Sequence, residues 1–241
     1  MAGPLEQFEV HSIVPIEIGG FDVSFTNASL FMVINVAVLT GFFMLASRGR
    51  SLVPTRLQSV AEIMYETVAN MIRDNVGSGG RKYFPFIFSL FMFLLTCNLV
   101  GMIPGSFTVT SHVFVTFGLA FVIFIGVTII GIATHGLHFL RLFFPHGAPL
   151  WTALILTPVE IISYLARPIT LAVRLFANMT VGHVLLKVVA GFVAPLGIAL
   201  GILPLGGLVA ITALEFMIAV IQAYVFTILT CVYLHEALHL H

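Results

Sequence analysis

Residues 149–187 read PLWTALILTPVEIISYLARPITLAVRLFANMTVGHVLLK, an apolar stretch with five ionisable groups inside it. As one helix it is roughly 57 Å long, nearly twice the roughly 30 Å hydrocarbon core of a membrane. A helix of that length must tilt steeply or bend, and Pro168 offers a bend because it frees a carbonyl one turn earlier. The stretch therefore predicts a long, tilted membrane helix that carries charge.

The composition of the whole chain is that of an integral membrane protein. Of its 241 residues, 59% are hydrophobic and only 8% are charged, and the mean hydropathy is +1.12. A soluble domain carries roughly 25% charged residues. The net charge is zero and no long basic run occurs, so nothing indicates a nucleic-acid partner. We predict an all-α integral membrane protein.

The apolar segments predict five membrane crossings in a single membrane domain. The predicted spans are 27–47, 84–103, 112–134, 149–187 and 209–238, and the last two form a tilted hairpin around a glycine- and proline-rich turn at 188–208. Only acids precede the first span, whereas Arg48, Arg50 and Arg56 follow it. The positive-inside rule then makes segment 1–26 extracytoplasmic and places the C-terminus inside.

Residues 55–76 have the pattern of an amphipathic helix. Apolar side chains recur at helical spacing, and the charged side chains fall elsewhere on the helix. The apolar positions are Leu57, Val60, Met64, Val68 and Met71, and the charged ones are Glu62, Glu66 and Arg73. The segment is too polar to span, so we expect it to lie along the inner membrane face.

Ionisable groups deep in a bilayer are costly and rarely idle, so their geometry is informative. Glu160, Arg167 and Arg174 are spaced by seven residues, and each step of seven rotates by only about 20° on a helix. The three side chains therefore share one face. Asn178 lies close to that face, whereas His183 lies about half a turn away.

Each of these groups allows more than one interpretation. Glu160 and Arg167 either neutralise each other or extend to the interface, or they belong to an ion path. Arg174 is a fixed cation on a polar stripe, which indicates an ion path. Glu215, the one carboxylate deep in another span, is as well placed for His183 as for Arg174.

Glu215 also shares a face with Gln222, seven residues later on the last helix. His183 and Glu215 form either a buried hydrogen-bonded pair or a proton relay, because burial can raise the pKa of a glutamate toward that of a histidine.

The C-terminal motif His235-Glu236-Ala237-Leu238-His239 favours a different function. On a helix, HExxH is the zinc-peptidase signature, so an intramembrane zinc metalloprotease is the alternative function. Such an enzyme needs a third ligand and an aqueous pocket. An aspartate could supply the third ligand, but the only two in the sequence, Asp22 and Asp74, lie outside the predicted spans. We therefore interpret the motif as the polar end of a helix that reaches water, and we expect no metal and no cofactor.

Three blocks closely resemble the membrane-embedded a subunit of F-type ATP synthases. They are LTPVEIISYLARPITLAVRLFANMTVGHVLL (156–186), NLVGMIPG (98–105) and EFMIAVIQAYVFTILTCVYL (215–234). The order of elements matches over nearly the whole chain. The resemblance implies proton translocation through two half-channels at the interface with a rotating ring of c subunits, which couples the proton gradient to ATP synthesis.

The resemblance also assigns roles to particular residues. Arg174 occupies the position of the family's essential arginine, which faces the ring carboxylates. Asn178, His183, Glu215 and Gln222 match polar half-channel positions, and Glu160 matches an acid nearer the inner end. Many bacterial members have an acid at the position of His183 and a histidine at that of Glu215, so here the pair is exchanged, as in mitochondrial relatives.

The same resemblance implies partners and a location. The partners are the c-subunit ring, b-type subunits of the peripheral stalk, the other ATP synthase subunits and the lipid bilayer. No GxxxxGK[ST] loop occurs, so we expect ATP chemistry on partner subunits and no enzyme activity in the isolated chain. Protons are favoured over sodium because no extra carboxylate or hydroxyl cluster surrounds the site. We expect the bacterial plasma membrane, with the mitochondrial inner membrane as the second choice.

Overall fold

The computed structural model describes residues 10–15, 17–18, 21–22, 24–48, 54–103, 106–136, 139, 150–193 and 195–239. Within these ranges the α-helices are α1 (Asn27–Ser47), α2 (Arg56–Asn75), α3 (Phe84–Gly101), α4 (Val113–His135), α5 (Leu150–Val193) and α6 (Gly197–Leu238). Short 3₁₀ helices occupy Ser78–Tyr83 and Val109–Ser111. Before α1, strand β1 (Ser12–Val14) pairs antiparallel with β4 (Phe25–Thr26), and β2 (Glu17–Ile18) pairs with β3 (Phe21–Asp22).

The predicted all-α membrane fold is confirmed. Among the described residues, five helices are long and apolar enough to cross a membrane, namely all except α2. A threonine caps each of the first two helices: Thr26 Oγ1 accepts from the Ser29 N–H at 3.4 Å, and Thr55 Oγ1 accepts from the Gln58 N–H at 3.4 Å. Such caps satisfy backbone donors that a helix leaves unpaired at its start.

Helix α2 is amphipathic, but its apolar face is divided between two environments. Val68 and Met71 are buried against the helical core, whereas Leu57 and Val60 are 50% and 41% exposed. The C-terminal half of α2 therefore packs on the bundle, and its N-terminal half presents apolar surface outward. Gly77, with φ +79°, then turns the chain toward α3.

The turn between the last two helices is shorter than the sequence predicted. We expected residues 188–208 to form it, whereas α5 continues to Val193 and α6 begins at Gly197. In a hydrocarbon environment each backbone group needs an internal partner, so helix persists through glycine and proline residues. Gly201 permits the close approach of α6 to the end of α5, since a Cβ at Gly201 would lie 2.9 Å from the Val193 carbonyl oxygen.

The core lies between α3, α5 and α6, with α2 and α4 packed around it. Ile87, Leu94, Leu175 and Phe226 are all fully buried in this cluster. Asn98 Nδ2 donates to the Ala219 carbonyl at 3.0 Å and ties α3 to α6. The two cysteines, Cys97 and Cys231, are free and buried, and Cys231 belongs to this core.

Candidate functional site

Arg174 lies on the outward face of α5. Leu171 and Leu175, on either side of it, are buried at 2% and 0% exposure, whereas Arg174 itself is exposed. Its exposed neighbours include the apolar Val173 at 52% and Val181 at 63%, and the neutral polar residues Thr170 and Asn178 one turn to either side. Within the described part of the chain Arg174 has no hydrogen bond or ion pair. The site therefore presents one guanidinium on an outward helical surface whose other exposed residues near it are uncharged.

Asn178, one turn after Arg174, connects α5 to α6. Its Nδ2 donates to Gln222 Oε1 at 2.9 Å. Gln222 is only 4% exposed, and its Nε2 donor has no partner among the described residues. A buried unsatisfied donor is costly, so this amide is ready to bond an incoming water or carboxylate.

His183 and Thr108 form a polar contact at the mouth of an open cleft. Their Nε2 and Oγ1 atoms lie 3.2 Å apart, and the donor depends on the histidine tautomer. The cleft holds about 360 Å³ and is lined by Gly101, Met102, Ile103, Ser106, Thr108, His183, Leu186, Lys187, Ala190, Leu208 and Thr212. Thr108 was not predicted as a site residue, although the polar run SFTVTSH that contains it was the available signal.

Glu215 is buried at 7% exposure, and neither carboxyl oxygen has a hydrogen-bond partner in the described part of the structure. Its side chain packs against Gly182 on α5, where a Cβ would lie 2.9 Å from the Glu215 Cδ atom. The buried hydrogen-bonded pair of His183 and Glu215, one of our two alternatives, therefore does not form here. Instead Glu215, His183 and Asn178 line one cavity of about 10 Å³, close to the volume that one water needs.

Arg167 and Glu160 are not paired with each other, so mutual neutralisation, one of the alternatives left open by the sequence, is wrong. Arg167 Nη1 donates to Glu236 Oε2 on α6, and the two side chains are 23% and 38% exposed. Glu160 is half-buried and has no ion pair among the described residues. The sequence interpretation missed this partner because Glu236 was assigned to the HExxH motif.

The HExxH motif is not arranged as a zinc site. Glu236 is occupied by Arg167, and His239 Nδ1 lies 3.3 Å from the His235 carbonyl oxygen. The two imidazoles stack on each other, with centroids 4.5 Å apart. Across the described ranges, no group of three or more His, Cys, Asp or Glu side chains could hold a metal ion.

Most of the predicted residues thus come together where α5 crosses α6. A wide cleft leads to His183, a water-sized cavity joins His183 to Glu215 and Asn178, and Asn178 bonds Gln222. Such a series of titratable and amide groups can relay protons. Glu160 and Arg167 lie nearer the N-terminal end of α5 and are not part of this series.

Comparisons with known proteins agree in pointing to one family. A family model described as ATP synthase A chain matches residues 29–235, which include every predicted site residue. The chain is 60% identical over 247 positions to "ATP synthase subunit a" of Paramagnetospirillum magneticum, with 100% of both chains covered. It is 58% identical over 241 residues to the Rhodospirillum rubrum protein of the same name, again with full coverage. With the Allorhizobium ampelinum protein of that name it shares 56% identity over 98% of this chain and 97% of the relative.

Proposed function

The chain belongs to the ATP synthase A chain family, the proton-translocating subunits of the membrane sector, and we propose that it moves protons through two half-channels at the interface with a rotating c ring. In this mechanism each c subunit presents a lipid-buried carboxylate to Arg174 as the ring turns. The chain is the stator of the motor. ATP chemistry takes place on partner subunits.

The observation that carries this proposal is that Arg174, unpaired among the described residues, lies on an outward face with no other charge near it. A fixed cation lowers the pKa of a carboxyl group that approaches it, and a desolvated setting strengthens the effect. A ring carboxyl that reaches Arg174 therefore ionises and gives up its proton. Because the cation also repels a free proton, Arg174 separates the two half-channels.

The cleft at His183 supports an outer half-channel. A proton that enters from the cleft passes His183, crosses the small cavity to Glu215, and reaches the ring near Asn178 and Gln222. Each of these groups can accept or donate a proton or hold a water molecule. The pair of Thr108 and His183 stands where this path meets water.

For the inner half-channel we propose Glu160 as the polar group that receives protons leaving the ring. It lies on α5 two turns before Arg167 and four turns before Arg174, and it is half-buried without an ion pair in the described part of the chain. A carboxylate that no cation holds suits a proton acceptor. Arg167 is held by Glu236, which compensates its charge, so we assign it a structural role beside this path.

The driving force follows from the position of the chain in a membrane. Moving one charge through the membrane field releases about 2.3 kcal/mol per 100 mV, which the ring converts into rotation. The relatives reported above are bacterial proteins, which supports the bacterial plasma membrane as the location. We further propose b-type peripheral-stalk subunits as neighbours that keep the chain from turning with the ring.

The experiment that tests this function is ATP-driven acidification of inverted membrane vesicles that contain the assembled complex. Arg174→Ala should abolish pumping while the complex stays intact on a native gel. Arg56→Ala is the matched control, because Arg56 is an exposed arginine at the start of α2. It should pump at the wild-type rate.

A second measurement separates the two proposed roles of Arg174, which are to ionise the ring carboxyl and to keep the half-channels apart. Vesicles stripped of the ATP-hydrolysing subunits should leak protons at least as fast in Arg174→Ala as in wild type, because the electrostatic barrier is gone. Pumping at the wild-type rate in Arg174→Ala would refute the proposed function. Bound zinc and peptide cleavage would then be measured next, since they distinguish the metalloprotease alternative.

A further inference from the structure

The ion pair of Arg167 with Glu236 joins α5 and α6 at the end opposite the cleft of His183. The Arg167 guanidinium also lies over two aromatic rings, 5.1 Å from the Tyr233 centroid and 5.4 Å from the Tyr164 centroid. Tyr164 in turn shares a hydrogen bond of 2.7 Å with Thr128 of α4. Five side chains from three helices thus form one connected cluster, which we call the inner clamp: Thr128, Tyr164, Arg167, Tyr233 and Glu236.

The inner clamp and the Asn178–Gln222 hydrogen bond enclose Arg174 along α5. Arg174 lies seven residues after Arg167 and four before Asn178, which is about 10 Å and 6 Å along the helix axis. These two contacts are the polar side-chain links that join α5 to α6 within the described residues. Arg174 itself bonds neither Glu236 nor Gln222 of α6. Its position therefore depends on α5, the helix that carries it.

We propose that Arg167 and Glu236 are positioning residues that fix the rotation of α5 against α6 and thereby hold Arg174 toward the c ring. This inference rests on the proposed function. With side chains a helix has a radius of about 5–6 Å, so a rotation of about 20° displaces a side-chain group by about 2 Å. A misplacement of about 1 Å in a reacting group costs up to about 10²-fold in rate. A small loosening of the clamp is therefore enough to impair proton transfer.

The clamp also removes a competing charge. Without Glu236, Arg167 would be a second uncompensated cation two turns from Arg174 on the same helix. A ring carboxylate near Arg167 would then be held in its ionised form at the wrong level of the membrane. The carboxylate of Glu236 prevents this, which gives the glutamate of the HExxH motif a role other than zinc chemistry.

The test uses the assembled complex and measures the rate of ATP-driven proton pumping per assembled complex, expressed as a ratio to the wild-type rate. Glu236→Gln keeps the size of the side chain and removes its charge, and it should lower this ratio by about threefold or more. The charge reversal, Arg167→Glu with Glu236→Arg, restores the pairing and should return the ratio to within about twofold of wild type. Asp74→Asn is the control, because Asp74 belongs to an exposed ion pair with Arg73 at an N–O distance of 3.8 Å. Its ratio should not change.

Two results would overturn the proposal: a wild-type ratio in Glu236→Gln, or an assembled charge reversal that pumps no better than the single variants. Should Glu236→Gln fail to assemble, Arg167→Lys supplies the second test, because lysine keeps the charge but lacks the planar group that lies over both tyrosines. A wild-type ratio in Arg167→Lys would also overturn it. Loss of pumping in Arg174→Ala together with wild-type pumping in the clamp variants would refute the clamp alone and leave the proposed function standing.

Discussion

Gly182→Ala is expected to slow proton transfer by about tenfold or more without unfolding the protein, because Gly182 lies directly against Glu215. The added Cβ would be 2.9 Å from Glu215 Cδ and 3.2 Å from Cγ. Carbon atoms in contact prefer about 3.5–4.0 Å, so the carboxyl group must move by about 0.6 Å or more. Its side chain would leave the position from which it shares the small cavity with His183.

The magnitudes separate the effect on stability from the effect on function. Replacing glycine by alanine inside a helix stabilises it by about 1 kcal/mol, and forcing a side chain off its preferred rotamer costs about 0.5–1.5 kcal/mol. The two nearly cancel, so the complex should assemble normally. The rate of proton transfer depends far more steeply than stability does on the position of the Glu215 carboxyl group. We therefore expect ATP-driven pumping to fall by about tenfold or more.

The assay is vesicle acidification, with ATP hydrolysis and native-gel assembly measured on the same preparation. Gly126→Ala in α4 is the matched control, since a Cβ at that position meets nothing within 4 Å. Adding Glu215→Asp to Gly182→Ala shortens the carboxylate and relieves the contact, so part of the activity should return. Equal pumping by Gly182→Ala and wild type, or an equal loss in the Gly126→Ala control, would refute the reasoning.

Three further predictions concern the buried core, the Asn178–Gln222 amide pair and the segment that precedes α4. Phe226→Ala should lower the free energy of unfolding by about 3 kcal/mol in detergent, because Phe226 is fully buried. Phe114→Ala is the control, since Phe114 is 94% exposed, and it should leave the free energy of unfolding nearly unchanged. A similar loss in both variants would contradict the packing argument. Gln222→Leu should slow pumping several-fold at normal assembly, because it removes the acceptor of the Asn178 hydrogen bond; an unchanged pumping rate would exclude a role for this bond. His112 stacks on Phe107 with centroids 4.8 Å apart, and burial lowers the pKa of its imidazole below the usual 6.5. The folded state therefore binds fewer protons than the unfolded chain, so thermal stability should decline as the pH falls below about 6.5. His112→Phe should remove that decline, and a variant with the same pH dependence as wild type would contradict it.

The spans were predictable because hydrocarbon tolerates few polar backbone or side-chain groups, so long apolar runs mark them directly. The bounds of the first four predicted spans agree with those of α1, α3, α4 and α5 to within a few residues. The exception is the C-terminal end of α5, which was predicted at 187 and lies at Val193. The start of α6 was placed twelve residues too late, at 209 instead of Gly197. Glycine and proline indicate a turn in water, but in a membrane the backbone still needs its helical hydrogen bonds.

The site was predictable only in part, because spacing along one helix defines a face but not the partner opposite that face. The face of Arg167 and Arg174 follows from seven-residue spacing. That Arg167 meets Glu236 and not Glu160 depends on how α5 crosses α6, which no local pattern specifies. Thr108 likewise reaches His183 across 75 positions of sequence. For such contacts the sequence supplies candidates, and packing selects among them.

Arg174 also lacks a counter-charge among the residues that the structure describes. An arginine at the centre of a membrane costs from about 2.5 to 17 kcal/mol, depending on the reference, unless a partner or water reaches it. The acids of α6 do not supply that partner, since Glu236 is bound to Arg167 and the Glu215 carboxyl packs against Gly182. Glu160, on the same helix, lies four turns away. The free energy to be offset is much larger than any surface ion pair provides, so we infer that a carboxylate from outside the chain completes the site, as a c ring would provide.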